Sequence, residues 1–244
     1  FRENNQDDMF ELDFKDNSLP FIERLIDQAE ILARTYDVVV TNPPYMGRKG
    51  MNAELTNYVK KNYKDSSADL YAVFMEVASN SVKGNGFIGL VNQHSWMFLS
   101  SFEKLRENIL ADHQIYSMAH LGTRAFAEIG GEVVQTTSFV MRKGVVPDYV
   151  ATFIRLTDFN NAEEKANQFF NEKLRFKRTQ DGFSDIPGSP IAYWVSKNGF
   201  FAFKELIKNN YKANAGISSG NNAKYILYWH EIDYESTCVK QNVN

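Results

Sequence analysis

The run Asn42-Pro43-Pro44-Tyr45 combines the residue types needed to activate an aromatic amine. An exocyclic amine such as N6 of adenine is a poor nucleophile, because its lone pair is delocalised into the ring. Two acceptors on its N–H bonds would localise that lone pair and aim it at an electrophilic methyl group. The Asn42 side-chain oxygen is one such acceptor, and the Pro43 backbone carbonyl is the other. Consecutive prolines restrict the backbone and so hold both in place. Tyr45 adds a flat face for an extruded base, worth about 1–3 kcal/mol of stacking. A base inside the duplex cannot reach such a site, so flipping is implied. Neither a metal nor a covalent nucleophile is needed. The tetrapeptide also reads as a simple strand-ending turn. Its place favours a site: it directly follows a β-branched run, and ligand sites in open α/β sheets form beyond the carboxyl ends of strands.

Cations flank the motif. Arg48 and Lys49 follow it at once and are placed for contact with phosphate. Lys60, Lys61 and Lys64 come next, and Lys173, Arg175, Lys177 and Arg178 form a second group around Phe176. Solvated surface charge is the default reading for all of them. The histidines (His94, His113, His120, His230) show no HxxxH or HxH spacing and read as surface or partly buried polar residues, with no metal expected. The lone Cys238 excludes an internal disulfide and a Cys-rich zinc site, and fits a reducing cytoplasm.

The 244 residues are 43% hydrophobic and 23% charged, with a net charge of −3. This is globular composition, less basic than a segment that holds DNA alone. DNA contacts are therefore expected to be local patches or to lie elsewhere in a larger protein. No apolar run reaches the roughly 18 residues that span a membrane. The chain opens on Phe1, without an initiator Met or signal-peptide pattern, as expected of a processed protein or a piece of a longer one.

The elements that must position the motif are legible around it. Apolar residues at Phe21, Ile22, Leu25, Ile26, Ala29 and Leu32 predict a helix over 19–33 with an entry at Ser18-Leu19-Pro20. Tyr36–Thr41 predicts a short central strand covered on both faces. Residues 46–67 read as a loop, or a loop with a short helix. The stripe Leu70, Val73, Phe74, Val77, Ala78 predicts a helix over 69–82, stopped by Lys83-Gly84-Asn85-Gly86. A strand at 87–91, a helix at 102–110, a strand at 116–121 and a β-rich stretch at 133–141 follow, giving an α/β fold with an antiparallel strand near its end. Beyond about 147 the pattern weakens, with helices expected at 162–170 and 193–208 and a loop at 216–222.

Four stretches in order resemble the gamma class of amino-group DNA methyltransferases. They are Tyr36–Tyr45, Asp69–Glu76, Gly84–Val91, and the hairpin from Leu121 through Phe126 and Gly130 to Met141. The longer strings that begin at Asn42 and Ile129 are most similar to the methyltransferases of BREX-type phage-defence systems, themselves grouped with large restriction-modification methylases. This resemblance implies a Rossmann-like sheet that uses S-adenosylmethionine to methylate adenine N6 in DNA. Asn42 and Pro43 would accept from the target amine. Tyr45 would stack on the flipped base and Phe126 would pack against it from another side. Pro44 and Phe74 would line the cofactor's adenine pocket, although Phe74 equally suits core packing on its helix stripe. Double-stranded DNA is the implied partner, with other defence-system proteins as a further class.

The chain departs from the family in one respect. Nothing before Asn42 supplies the glycine-containing strand-to-helix turn that holds the cofactor's methionine end. The expected organisation is therefore a connecting segment (1–35), the second half of a catalytic domain (36–145), a helical extension (146–215) and the start of a target-recognition region (216–244). Methylation of a glutamine amide in protein, or of RNA, would use the same acceptors. A non-catalytic DNA-binding module of a defence complex is the alternative from another class.

Overall fold

The computed structural model describes residues 18–126 and 134–196, together with Phe14 and Gly199. Helix α1 (Leu19–Ala33) forms where its apolar spacing predicts, with Pro20 in its first turn, where a missing N–H costs nothing. None of its residues is buried: Phe21 is 59% and Leu32 82% exposed. Strand β1 (Tyr36–Thr41) has the expected bounds but a different setting. Among the described residues it is the edge of the sheet, paired only with β2 (Val82–Gln93), and Val38 and Val40 are 57% and 74% exposed. The expectation of a strand covered on both faces is corrected here. A β-branched run records that a strand can be buried, not what lies beside it.

Helix α2 (Ala53–Asn62) fills much of the stretch expected as loop, capped by the Asn52 side chain, which accepts from Leu55 N at 2.8 Å. Helix α3 (Leu70–Ser81) packs on β1 and β2 through Tyr71, Ala72, Met75 and Ala78. Its end runs directly into β2, so Lys83–Gly86 forms the irregular start of the strand instead of a separate turn. Gly86 is required there: a Cβ would meet Asp37 O at 2.7 Å and Val82 Cγ2 at 2.6 Å.

Helix α4 (Glu103–Asp112) leads into β3 (His113–Gly122), and β4 (Thr136–Lys143) inserts antiparallel between β2 and β3. The expected antiparallel strand is thus present. The sheet then extends through β5 (Ala151–Arg155), parallel to β3, and β6 (Arg175–Arg178), antiparallel to β5, giving the order β1-β2-β4-β3-β5-β6. Strands β1, β2, β3 and β5 run one way, so their carboxyl ends share one edge. Helix α5 (Ala162–Gln168) matches the expected helix, but β5 and β6 were not foreseen in a stretch read as helical. Arg-Phe-Lys-Arg carries no buried-strand pattern; pairing with β5 imposes the conformation. Of the helix expected at 193–208, only Tyr193–Ser196 and Gly199 are described, and the loop at 216–222 lies outside the described residues.

One core holds the sheet and helices together, centred on Tyr71, Trp96, Ile115, Phe139, Phe153 and Tyr193. Phe153 and Tyr193 stack with centroids 4.9 Å apart and planes 6° apart. Arg106, only 1% exposed, donates to Trp96 O (2.9 Å), Leu99 O (2.6 Å) and twice to Gly188 O (2.9 and 2.6 Å). It joins α4, the segment after β2 and the turn at 187–190.

Candidate active site

Asn42 is the first residue after β1, where the parallel pairing Thr41↔Leu90 ends. Its side chain is exposed and makes no hydrogen bond within the described residues. Pro43 is buried and Pro44 exposed, so the two prolines turn the chain with one ring against the protein and one outward. Tyr45 is half-buried. Its hydroxyl donates to Val91 O at 3.0 Å, and its ring meets Tyr71 edge-on at 6.0 Å and 82°. Burial raises the Tyr45 phenol pKa, with the Thr136 hydroxyl opposing, so the group stays protonated and the anchoring donor persists at neutral pH. Tyr71 is shifted upward more strongly, again by burial, while its hydroxyl shares a 2.7 Å bond with Ser95 Oγ.

The chain beyond the motif is tied to the start of α3. Asp69 caps that helix, its Oδ1 accepting from Tyr71 N at 3.3 Å. The same oxygen accepts from Met46 N at 2.8 Å, and Leu70 N donates to Met46 O at 3.0 Å. Burial raises the Asp69 carboxyl pKa, opposed by the amides of Met46, Tyr71 and Leu70. In the sequence Asp69 opens both the helix expected over 69–82 and the matching stretch Asp69–Glu76. An Asp before an apolar stripe signals an N-cap, but its bond to Met46 joins residues 23 apart and has no local signature.

Phe74 is half-exposed and belongs to neither buried cluster. Its neighbours on the stripe form the core, but Phe74 does not. Phe126, 38% exposed, lies four residues past the end of β3, on the same sheet edge as Asn42. Arg48 occupies a short 3-10 turn and donates from Nε to Ser67 O (3.3 Å) and from Nη2 to Ser67 Oγ (3.2 Å). Its guanidinium is thus partly engaged within the chain. Lys49 is exposed and makes no hydrogen bond among the described residues. In the second basic group, Arg175 donates to Phe169 O (3.0 Å) and Arg178 to Val195 O (3.2 Å), so both serve the fold.

Two histidines read as polar surface or partly buried residues sit in the interior. His113 bonds Ser79 Oγ through Nε2 at 2.9 Å. His120 bonds Tyr193 OH at 2.9 Å and His94 at 3.0 Å. Among the described residues no group of three or more His, Cys, Asp or Glu could hold a metal ion, and no helix is long and apolar enough to cross a membrane.

Pro44, exposed, and Phe74, half-buried, suit the rim of an adenine pocket for S-adenosylmethionine. No glycine precedes Asn42 in the sequence, so the strand-to-helix turn that would hold the methionine end is not among these residues; Gly47 and Gly50, between β1 and α2, come after the motif. The described residues therefore fit one side of a cofactor site.

The chain is similar to known proteins. A family model described as Eco57I restriction-modification methylase matches residues 2–126, just over half of the chain. The adenine-specific methyltransferase BrxX of Escherichia coli O9:H4 (strain HS) is 46% identical over 213 residues, covering 86% of this chain and 18% of BrxX. The adenine-specific methyltransferase PglX of Lacticaseibacillus casei (strain Zhang) is 42% identical over 234 residues, covering 92% of this chain and 19% of PglX. The chain thus spans about a fifth of the length of these relatives. Among solved structures, the DrdV–DNA complex is similar at 19% identity with a TM-score of 0.49, covering 72% of this chain and 20% of that one.

Proposed function

The chain belongs to the Eco57I restriction-modification methylase family, and from that premise we propose that it forms the base-activating part of a DNA adenine-N6 methyltransferase of a defence system. The observation that carries the proposal is the state of Asn42. Its amide stands exposed at the carboxyl end of a strand and makes no hydrogen bond among the described residues, while the residues after it are anchored to β2 and α3. A side chain held ready in this way can accept from a ligand without first breaking a bond of its own.

The roles follow from chemistry. The adenine amine donates one N–H to Asn42 Oδ1 and the other to the Pro43 carbonyl, which draws its lone pair out of conjugation. Tyr45, fixed through its hydroxyl, offers its ring to the flipped base, and Phe126 closes on the base from beyond β3. Pro44 and Phe74 flank the cofactor's adenine. Bound S-adenosylmethionine supplies a methyl group on a sulfonium and leaves as a neutral thioether. The methylated amine is cationic, and it releases to solvent water one of the two protons held by the Asn42 and Pro43 acceptors. Lys49 is placed for a phosphate contact beside the motif. Double-stranded DNA is the partner, other proteins of the defence system are a second class of partner, and the setting is the cytoplasm.

The test is methyl transfer by the full-length protein, with labelled S-adenosylmethionine and unmodified DNA. Label recovered as N6-methyladenine, and lost in Asn42→Ala, supports the reading. Loss of one preorganised polar contact of this kind costs about 10²–10³ in rate. Label that appears in protein or RNA but not in DNA overturns the choice of substrate. No transfer at all supports a binding module.

A further inference from the structure

We propose that Asp69 is a positioning residue that latches the Asn42–Tyr45 acceptors in place for methyl transfer; this rests on the reading of the motif as an adenine-amine site. Residues 42–45 form a short bridge between anchors. Upstream, Thr41 is held by its register with Leu90. In the middle, Tyr45 OH is held by Val91 O. Downstream, the first residue past the motif, Met46, is gripped on both sides: its N–H donates to Asp69 Oδ1 at 2.8 Å and its carbonyl accepts from Leu70 N at 3.0 Å. Gly47 and Asp69 also form an isolated antiparallel bridge. Arg48 adds a neighbouring tie to Ser67, itself 4% exposed.

A helix cap needs only one acceptor aimed at its own first turn. Asp69 does this through Tyr71 N and, with the same oxygen, holds a residue outside the helix. That second bond is superfluous for capping. Its effect is to fix the exit of the motif against the start of α3, the helix that also carries Phe74. The base-activating acceptors and the flank of the cofactor pocket are thereby referred to a single carboxylate. Releasing it frees the downstream end of the bridge and lets Asn42 and Pro43 drift relative to the amine. Such drift affects the rate of the chemical step, because a displacement of about 1 Å can cost roughly 100-fold. It leaves the distant DNA contacts as they were.

The experiment uses the full-length protein with three variants. Asp69→Asn retains an oxygen for both amides and keeps kcat within about 3-fold. Asp69→Ser still caps the helix, but its hydroxyl is one bond shorter and releases Met46. It is expected to lower kcat about 10- to 100-fold, with KM for the cofactor and Kd for DNA almost unchanged. Asp69→Ala is expected to do the same and to fray α3 as well. Hydrogen exchange reads the latch independently of the reaction: peptides covering 42–48 exchange about 10-fold faster in Asp69→Ser while those of α3 keep their protection. If Asp69→Ser matches wild type in kcat and in exchange over 42–48, the latch is overturned. If exchange responds but wild type places no label in DNA, the latch stands and the reading of the substrate falls.

Discussion

Tyr45 offers a sharp test, because its hydroxyl and its ring have separable tasks. Tyr45→Phe removes only the group that donates to Val91 O at 3.0 Å. A protein hydrogen bond contributes about 0.5–1.5 kcal/mol net, and the half-exposure of Tyr45 lets water reach the stranded carbonyl, so the lower part of that range applies. A loss of about 0.5–1 kcal/mol corresponds to roughly 2- to 5-fold in kcat/KM. The ring remains seated against Tyr71, at 6.0 Å. Tyr45→Ala removes the ring as well. That forfeits about 1–3 kcal/mol of base stacking and about 0.5–1.5 kcal/mol of aromatic pairing with Tyr71. The total, about 2–5 kcal/mol, corresponds to a loss between roughly 30-fold and several thousand-fold. The assay is methyl transfer to unmodified DNA by the full-length protein, at several DNA concentrations, so that kcat/KM is resolved. If Tyr45→Phe proves as damaging as Tyr45→Ala, the hydroxyl takes part in the reaction and the anchoring argument is wrong. If Tyr45→Ala stays within a few-fold of wild type, no base stacks on this ring.

Arg106→Met strands the carbonyls of Trp96, Leu99 and Gly188. At about 1 kcal/mol for each unsatisfied buried acceptor, hydrogen exchange over 94–102 and 187–190 should quicken by roughly two orders of magnitude, and unchanged exchange would refute the clamp. His113 is 4% exposed, and burial lowers its imidazole pKa. Below about pH 6.5 the unfolded chain therefore binds more protons than the folded one. The stability tied to its neutral form is complete above that pH and is lost as pH falls toward the depressed folded value. A His113→Gln variant should flatten that part of a pH–stability curve, and an unaltered slope would exclude His113 as its source. Lys49→Ala should reduce the salt dependence of DNA affinity by about one phosphate contact, whereas Arg48→Ala should act mainly through the Ser67 tie; identical salt slopes for the two would contradict the division. The 244-residue chain alone is expected to bind S-adenosylmethionine poorly, because β1 has no neighbour on its outer side among the described residues and only one flank of a pocket is present. A micromolar titration would contradict that.

The local order around the motif is encoded in short stretches of chain. The bounds of α1 and β1 matched their predicted ranges, and α3 fell within a residue at each end, because apolar periodicity, Pro20 and an Asp cap are all short-range signals. The chemistry proposed for Asn42–Tyr45 rests on the same kind of signal, since four adjacent side chains and carbonyls suffice to state it. What depends on distant partners has no such signal. The one stripe holds both Phe74 and the core residue Val73, and only packing separated them. Arg48 stands out in the sequence as a cation beside the motif, but its bond to Ser67, 19 residues away, has no local signature. Strand β6 exists because β5 pairs with it, not because Arg-Phe-Lys-Arg prefers extension. The exposure of Val38 and Val40 likewise follows from what lies beside β1, which its own residues do not encode. Local conformational preference is written in neighbouring residues, whereas burial, register and long-range hydrogen bonds come from the simultaneous packing of the whole chain.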